Sequence, residues 1–285
     1  MTSSRATLIG FSAVLMWSLL ALLTIGSAPV PPLQLNAMCF AIGGLIGLLW
    51  TARNGFGVLK GIGWRVYAFG TIGLFGYHLL YFTAFRLSPS AETGLIAYLW
   101  PLFIVLLSGL LPGERLRAPH VIGAMIAFAG AGMIVVSRGS SEVVSLLGLG
   151  LAFLCALTWA AYSVLSRRLG TVPTESVTVF CLLTAALSGL CHLFLEPTVW
   201  PATAQGWASV LALGLGPVGA AFFTWDIGMK RGDIQLLGVA SYAAPLLSTL
   251  ALVAAGIATP TWTIVLAAVL IAAGAALAAR ASAKG

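Results

Sequence analysis

The chain has 285 residues, 60% of them hydrophobic and only 7% charged, with a formal net charge of +7 and a mean hydropathy of +1.05. Soluble domains carry roughly 25% charged residues, so this composition cannot cover a water-facing surface and places the chain in a bilayer. At about 20 residues per span there is room for roughly ten spans and almost no soluble domain, and the basic residues, scattered over short loops, read as orientation and lipid-headgroup contact, not as a nucleic-acid patch.

Ten helices are predicted, at 6–26, 33–52, 64–86, 91–111, 119–137, 146–167, 175–195, 206–229, 233–256 and 261–280. The linkers carry Pro, Gly and charge, as in Pro29–Pro32, Arg53–Gly55, Ser88-Pro89, Pro112–Arg115, Ser137–Ser141 and Thr259-Pro260. The first run could pass for a signal peptide, but the topology below fails without it, so it is counted as a span. It carries Trp17 far from either interface.

The third span contains Gly73, a plausible bend point, and then Tyr77, His78 and Tyr81. Tyr77 and Tyr81 are four apart and share a face. His78 is the only ionisable side chain deep within a span, which marks it as a candidate substrate contact. The fourth span runs through Tyr98-Leu-Trp-Pro101. Pro101 removes one N–H and frees the carbonyl of Ala97, and Trp100 lies beside the break.

The sixth span offers Trp159 and Tyr162, three apart on one face. The eighth has Pro217 as a bend point and Asp226 four residues before Lys230; Glu92, near the outer end of the fourth span, can pair with Arg86 across the linker, and both pairs read as terminal ion pairs or gate elements. The ninth carries Ser241, Tyr242 and Pro245. Its freed Ser241 carbonyl and adjacent hydroxyl either bind an ammonium group or satisfy each other. Trp50, Trp64, Trp200, Trp207 and Trp262 fall at span ends, as an interfacial belt requires. Stripes such as Gly43-Gly44-Gly47 and Gly274-Ala278 suit close helix approach, and Cys39, Cys155, Cys181 and Cys191 read as small core residues.

With the N-terminus inside, 12 of the 14 basic residues fall on the inner side and only Arg86 and Arg138 outside, the asymmetry of the positive-inside rule. Both termini are therefore expected in the cytoplasm. The halves repeat: at an offset of 144, Gly94, Tyr98 and Pro101 fall on Gly238, Tyr242 and Pro245, and Gly73 on Pro217, while at 142 Trp17 falls on Trp159. Five spans per half is odd, so the second half enters from the opposite side. The expected fold is all-α, two inverted five-helix repeats (1–142 and 143–285) around a central cavity, with Tyr98 and Tyr242 facing each other across the midplane.

The sequence holds no phosphate-binding Gly-Lys loop, no metal cluster and no nucleophile–base set, so no catalytic residue, cofactor or metal is expected. Midplane carboxylates are also absent, and a proton-driven pump usually needs a buried titrating group; only His78 offers one, so facilitated movement stands at least level with proton antiport. Glu114-Arg115 sits where an inner gate or loop clamp would.

The ten-helix count, the five-plus-five repeat and the phrase Glu92-Thr-Gly-Leu-Ile-Ala-Tyr-Leu-Trp-Pro101, followed by Pro112-Gly-Glu-Arg115, resemble the drug/metabolite transporter superfamily of EamA-like type. The second copy departs, because Gly256-Ile-Ala-Thr259 lacks the Glu-Arg pair. Trp17, Tyr77, His78, Tyr81, Tyr98, Trp100 and Tyr242 are similar to the interior set of the YddG-like aromatic amino-acid exporters. The resemblance implies an inner-membrane exporter of amino acids, aromatic and other small ones, working by alternating access. Rival functions are a proton-coupled drug/metabolite antiporter, a flippase of lipid-linked substrates and, more remotely, an integral-membrane enzyme. The glycine stripes serve packing as readily as dimerisation, so the sequence leaves monomer and dimer open.

Overall fold

The computed structural model describes residues 1–88, 90–136 and 145–283. Pro89, Arg138, Glu142, Lys284, the 137–141 linker and the expected 142/143 boundary lie outside them. Every regular element among the described residues is helical. Among the described residues nine helices are long and apolar enough to cross a membrane: α1 (Ser3–Gly26), α2 (Pro32–Asn54), α3 (Trp64–Leu87), α5 (Ala118–Val136), α6 (Leu146–Leu169), α7 (Ser176–Leu195), α8 (Ala204–Arg231), α9 (Ile234–Ala254) and α10 (Trp262–Ser282). The shorter α4 (Glu92–Ser108) makes the tenth.

The inverted repeat is visible in the packing. The first half of α1 lies on the second half of α8, and α6 lies on the second half of α3. Exchanging α1–α5 with α6–α10 turns one contact into the other. The pairs α2–α7 and α5–α10 map onto themselves and pack along their length. Both chain ends reach the same face, where Ser3 and Ser282 border one cleft; this face is called the terminal end below, and the opposite face the distal end.

The small-residue stripes are where helices meet. A Cβ added at Gly10 of α1 would stand 2.8 Å from the Gly228 Cα of α8, and one added at Gly43 of α2 would stand 2.8 Å from the Gly219 Cα. Such approaches bring backbones into van der Waals contact, which bulkier side chains forbid. Cys39, Cys155 and Cys181 are buried, and Cys191 is half-buried. Trp64, Trp200, Trp207 and Trp262 are exposed near span ends.

Five of the ten spans are irregular. In α3 and α8 a single π-helical turn, Ile72–Gly76 and Gly216–Ala220, falls at matched positions and contains Gly73 and Pro217. In α4 and α9 a turn interrupts the helix at Tyr98-Leu99 and Ser241-Tyr242, just before Pro101 and Pro245. The fifth, in α1 at Ser18-Leu19, has no proline or glycine to announce it. There the Ser18 hydroxyl donates back to the Leu15 carbonyl at 2.6 Å, as Ser12 does to Ile9 in the unbroken part of the same helix, so this bond alone does not make the break. The residue after the matched tryptophan of the second half is Ala160, which has no hydroxyl, and α6 continues as α-helix to Ser166.

Gly10→Val is expected to force α1 from α8 and destabilise the bundle by about 1–3 kcal/mol. A thermal-unfolding midpoint in detergent equal to that of the unaltered protein would contradict this packing.

Candidate substrate site

Four tryptophans from four spans meet in the middle of the bundle. Trp17 of α1, Trp100 of α4, Trp159 of α6 and Trp225 of α8 touch in all six pairings, with ring centroids between 5.1 and 6.4 Å apart. Most pairings are edge-to-face, the arrangement that ring quadrupoles favour, whereas Trp159 and Trp225 stack at 21°. Trp100, Trp159 and Trp225 are buried and Trp17 is half-buried. The Trp225 indole N–H donates to the Ser163 hydroxyl at 3.0 Å.

On the distal side of these indoles, α3 contributes a wall. Tyr77 lies 5.2 Å from Trp159 and 6.0 Å from Tyr81. His78 packs edge-on against Phe40 of α2 at 5.0 Å, with Phe222 of α8 at 6.1 Å. Tyr98 is close enough to Tyr77 and Tyr81 to interact with both electrostatically. Tyr77, His78 and Tyr81 are half-buried. The His78 Nδ1 lies 2.7 Å from the Leu74 carbonyl. A carbonyl only accepts, so Nδ1 carries the proton and Nε2 is the free acceptor.

The broken helices set these positions. In a regular α8 the Ala221 N–H would bond the Pro217 carbonyl; in the π turn it goes to Gly216. The Trp17 indole N–H takes the Pro217 carbonyl instead, at 2.9 Å. In α4 the turn frees the Leu102 N–H, and the Tyr242 hydroxyl of α9 accepts it at 3.1 Å. Each repeat thus closes a gap in the other. Tyr162 packs flat against the backbone at Gly73, where a Cβ would collide with its ring.

One expectation changes here. Tyr242 is fully buried against Leu102 and Phe128, and Tyr98 lies near Tyr77 and Tyr81. Ser241 is fully buried as well. Its hydroxyl donates to the Leu237 carbonyl at 2.7 Å and its own carbonyl accepts from Ala244 N–H at 3.0 Å, which leaves no ammonium site there. The structure therefore brings together Trp17, Tyr77, His78, Tyr81, Tyr98, Trp100, Trp159 and Tyr162, and sets Ser241 and Tyr242 apart.

The model of the EamA-like transporter family matches residues 4–136 and 146–280, nearly the whole chain. The chain belongs to the EamA-like transporter family. It is 54% identical to the aromatic amino acid exporter YddG of Ancylobacter novellus, over 98% of both chains. It is 30% identical to the aromatic amino acid exporter YddG of Salmonella typhimurium, over 87% of this chain and 88% of that one. A solved crystal structure, 52% identical, superposes with a TM-score of 0.94 over all of this chain and 99% of its own.

This EamA-like transporter is tied together by ions at both ends. At the terminal end Arg167 of α6 pairs with Glu114 and donates to the Met229 and Gly232 carbonyls at 2.9 and 2.8 Å. That joins the α4–α5 loop to α6 and α8, the clamp expected of Glu114. Asp226 and Lys230 pair at 2.9 Å, both buried, and the Thr174 hydroxyl and Val172 carbonyl complete their shells. At the distal end Arg86 pairs with Glu196, not with Glu92. Glu196 also accepts the Leu33 and Gln34 N–H groups at the start of α2 and lies 3.1 Å from His192. The N-terminus of α2 and His192 fix the Glu196 carboxylate where Arg86 reaches it.

Sequence reasoning missed Trp225, Phe222 and Phe40. The offset of 144 that relates Tyr98 to Tyr242 also relates Tyr81 to Trp225 and His78 to Phe222, so two of the three were signalled. Phe40 has no such signal. Tyr242→Phe leaves the Leu102 N–H unpaired in apolar surroundings, at a cost of about 1–3 kcal/mol. Its unfolding midpoint in detergent should fall measurably; an unaltered midpoint would show that the hydroxyl does not hold α4.

Proposed function

We propose that this transporter exports amino acids, aromatic and other small ones, from the cytoplasm across the bacterial inner membrane. The observation that carries this is the aromatic enclosure. Four indoles form its floor and Tyr77, His78, Tyr81 and Tyr98 its wall. Such a lining stacks an aromatic or aliphatic side chain, while tyrosine hydroxyls and the His78 Nε2 orient the zwitterion. It places no charge against the substrate side chain and selects weakly among them, so the range is broad. The names of the YddG relatives support the same class of cargo.

Orientation follows from the charges. Arg5, Arg53, Lys60, Arg65, Arg115, Arg117, Arg167, Arg168, Lys230, Arg231 and Arg280 fall at the terminal end or its loops, and the positive-inside rule supports a cytoplasmic position for both termini. The mechanism is alternating access. The terminal halves of α4 (Trp100–Ser108) and α9 (Ile234–Ala240) pack on each other. Their distal halves go to different neighbours: that of α4 to α3, α5 and α6, that of α9 to α1, α5 and α10. This is the arrangement of a transporter closed at the cytoplasmic side. Gly73, Pro101, Pro217 and Pro245 mark the hinges. Movement is facilitated, not pumped. Asp226, next to Trp225, is already bonded to Lys230 and Thr174, and the role of His78 is substrate contact.

Liposomes containing the purified protein should pass tryptophan, phenylalanine and smaller amino acids faster than empty vesicles, at rates indifferent to a pH gradient. Flux equal to that of empty vesicles would end the substrate assignment, and a rate that follows the pH gradient would end the uncoupled mechanism. Trp100→Ala and His78→Ala should each reduce flux several-fold; well-folded variants with full flux would remove those residues from the site.

A further inference from the structure

A second cavity lies away from the aromatic site. A cleft of about 270 Å³ opens at the terminal end between the two repeats. The α4–α5 loop, with Glu114, Arg115 and Arg117, forms one side, and Arg167, Asp233 and Gln235 form the other.

Its charges do not balance. Glu114 is paired with Arg167. Asp233 accepts the Leu236 N–H at 2.8 Å and so caps α9. Arg117 has one nitrogen on the Ala281 carbonyl at 2.9 Å, and its backbone N–H donates to His120 Nδ1 at 3.2 Å. Because His120 Nδ1 accepts, that ring has its proton on Nε2, 3.3 Å from the Ser282 hydroxyl, and is neutral. Arg115 is exposed. Arg115 and Arg117 are therefore left without a carboxylate partner among the described residues. Beside them Gln235 is 4% exposed, and its side-chain nitrogen has no hydrogen-bond partner. A buried amide donor lacking an acceptor is costly and rare in folded proteins.

We propose that this cleft binds an oxyanion, a phosphate or carboxylate group, through the Arg115 and Arg117 guanidiniums, with the Gln235 amide as a further donor. Guanidinium forks match such groups in geometry and charge. The arginines belong to the first repeat and Gln235 to the second, so a bound anion bridges the repeats beside the Arg167–Glu114 clamp and holds the terminal end closed. The same chemistry is offered by an anionic lipid headgroup at the membrane surface and by a free anion in solution.

Thermal unfolding of the purified full-length protein in neutral detergent tests this, with sodium phosphate exchanged for sodium chloride at constant ionic strength. The midpoint should rise with phosphate and saturate, as binding to the folded state requires. In R115Q/R117Q the apparent affinity should be at least roughly tenfold weaker. Phosphate acting no better than chloride, or acting equally on the double variant, would overturn the proposal. If the double variant is misfolded, R115Q alone decides, since that side chain supports no other contact. Nanodiscs separate the sources. A phosphate shift lost in phosphatidylglycerol but kept in phosphatidylcholine assigns the site to lipid headgroups; a shift kept in both assigns it to a free anion.

Discussion

A helix interrupted inside a bilayer leaves N–H and C=O groups that hydrocarbon cannot hydrate. Five spans are interrupted here, and protein groups take over the freed positions that can be followed. The Trp17 indole serves the Pro217 carbonyl, the Tyr242 hydroxyl serves the Leu102 N–H, and Ala244 N–H serves the Ser241 carbonyl. Two of these bonds cross between the repeats. They fix where α1 meets α8 and where α9 meets α4, and so they set the position of the four indoles. The aromatic site depends on how the broken backbones are satisfied.

The scaffold has a two-fold plan and the site does not. The π turns of α3 and α8 fall on matched residues, but His78 and Tyr81 in one repeat correspond to Phe222 and Trp225 in the other. The hydrogen-bonding groups therefore cluster on α3 and the hydrocarbon-like surface on α8. An amino acid has the same polarity, a charged backbone end and an apolar side chain. The terminal end is closed by ion pairs and carbonyl contacts around Arg167 and Lys230, while at the distal end Arg86 holds α3 to α2 through Glu196.

The span count and the bends in four helices were legible because proline, glycine and a repeated Tyr-x-x-Pro are local signals. Trp17, Trp100 and Trp159 were legible because an indole far from an interface needs an internal partner. Other features were not. The α1 break falls at Ser18-Leu19, in a run with no helix breaker. Ser241 and Tyr242 looked like site residues because they adjoin Pro245; the Ser241 hydroxyl instead bonds the Leu237 carbonyl one turn back in α9, and the Tyr242 hydroxyl serves the Leu102 N–H freed in α4. Arg86 chose Glu196 over the nearer Glu92 because tertiary folding brings that carboxylate to the start of α2. For Tyr242 and Arg86 the partner is distant in sequence, so no local signal announces it.

The central claim is that the repeats rock about the matched breaks, opening one end as the other closes. Spin labels at Leu87 and Ile257 report the distal end, and labels at Leu110 and Arg231 the terminal end; all four residues are exposed. Pulsed dipolar distances for each pair, with and without saturating tryptophan in nanodiscs, test it directly. The account predicts that the two distances shift in opposite senses when substrate is added. Two distances that stay fixed, or that lengthen together, would contradict it.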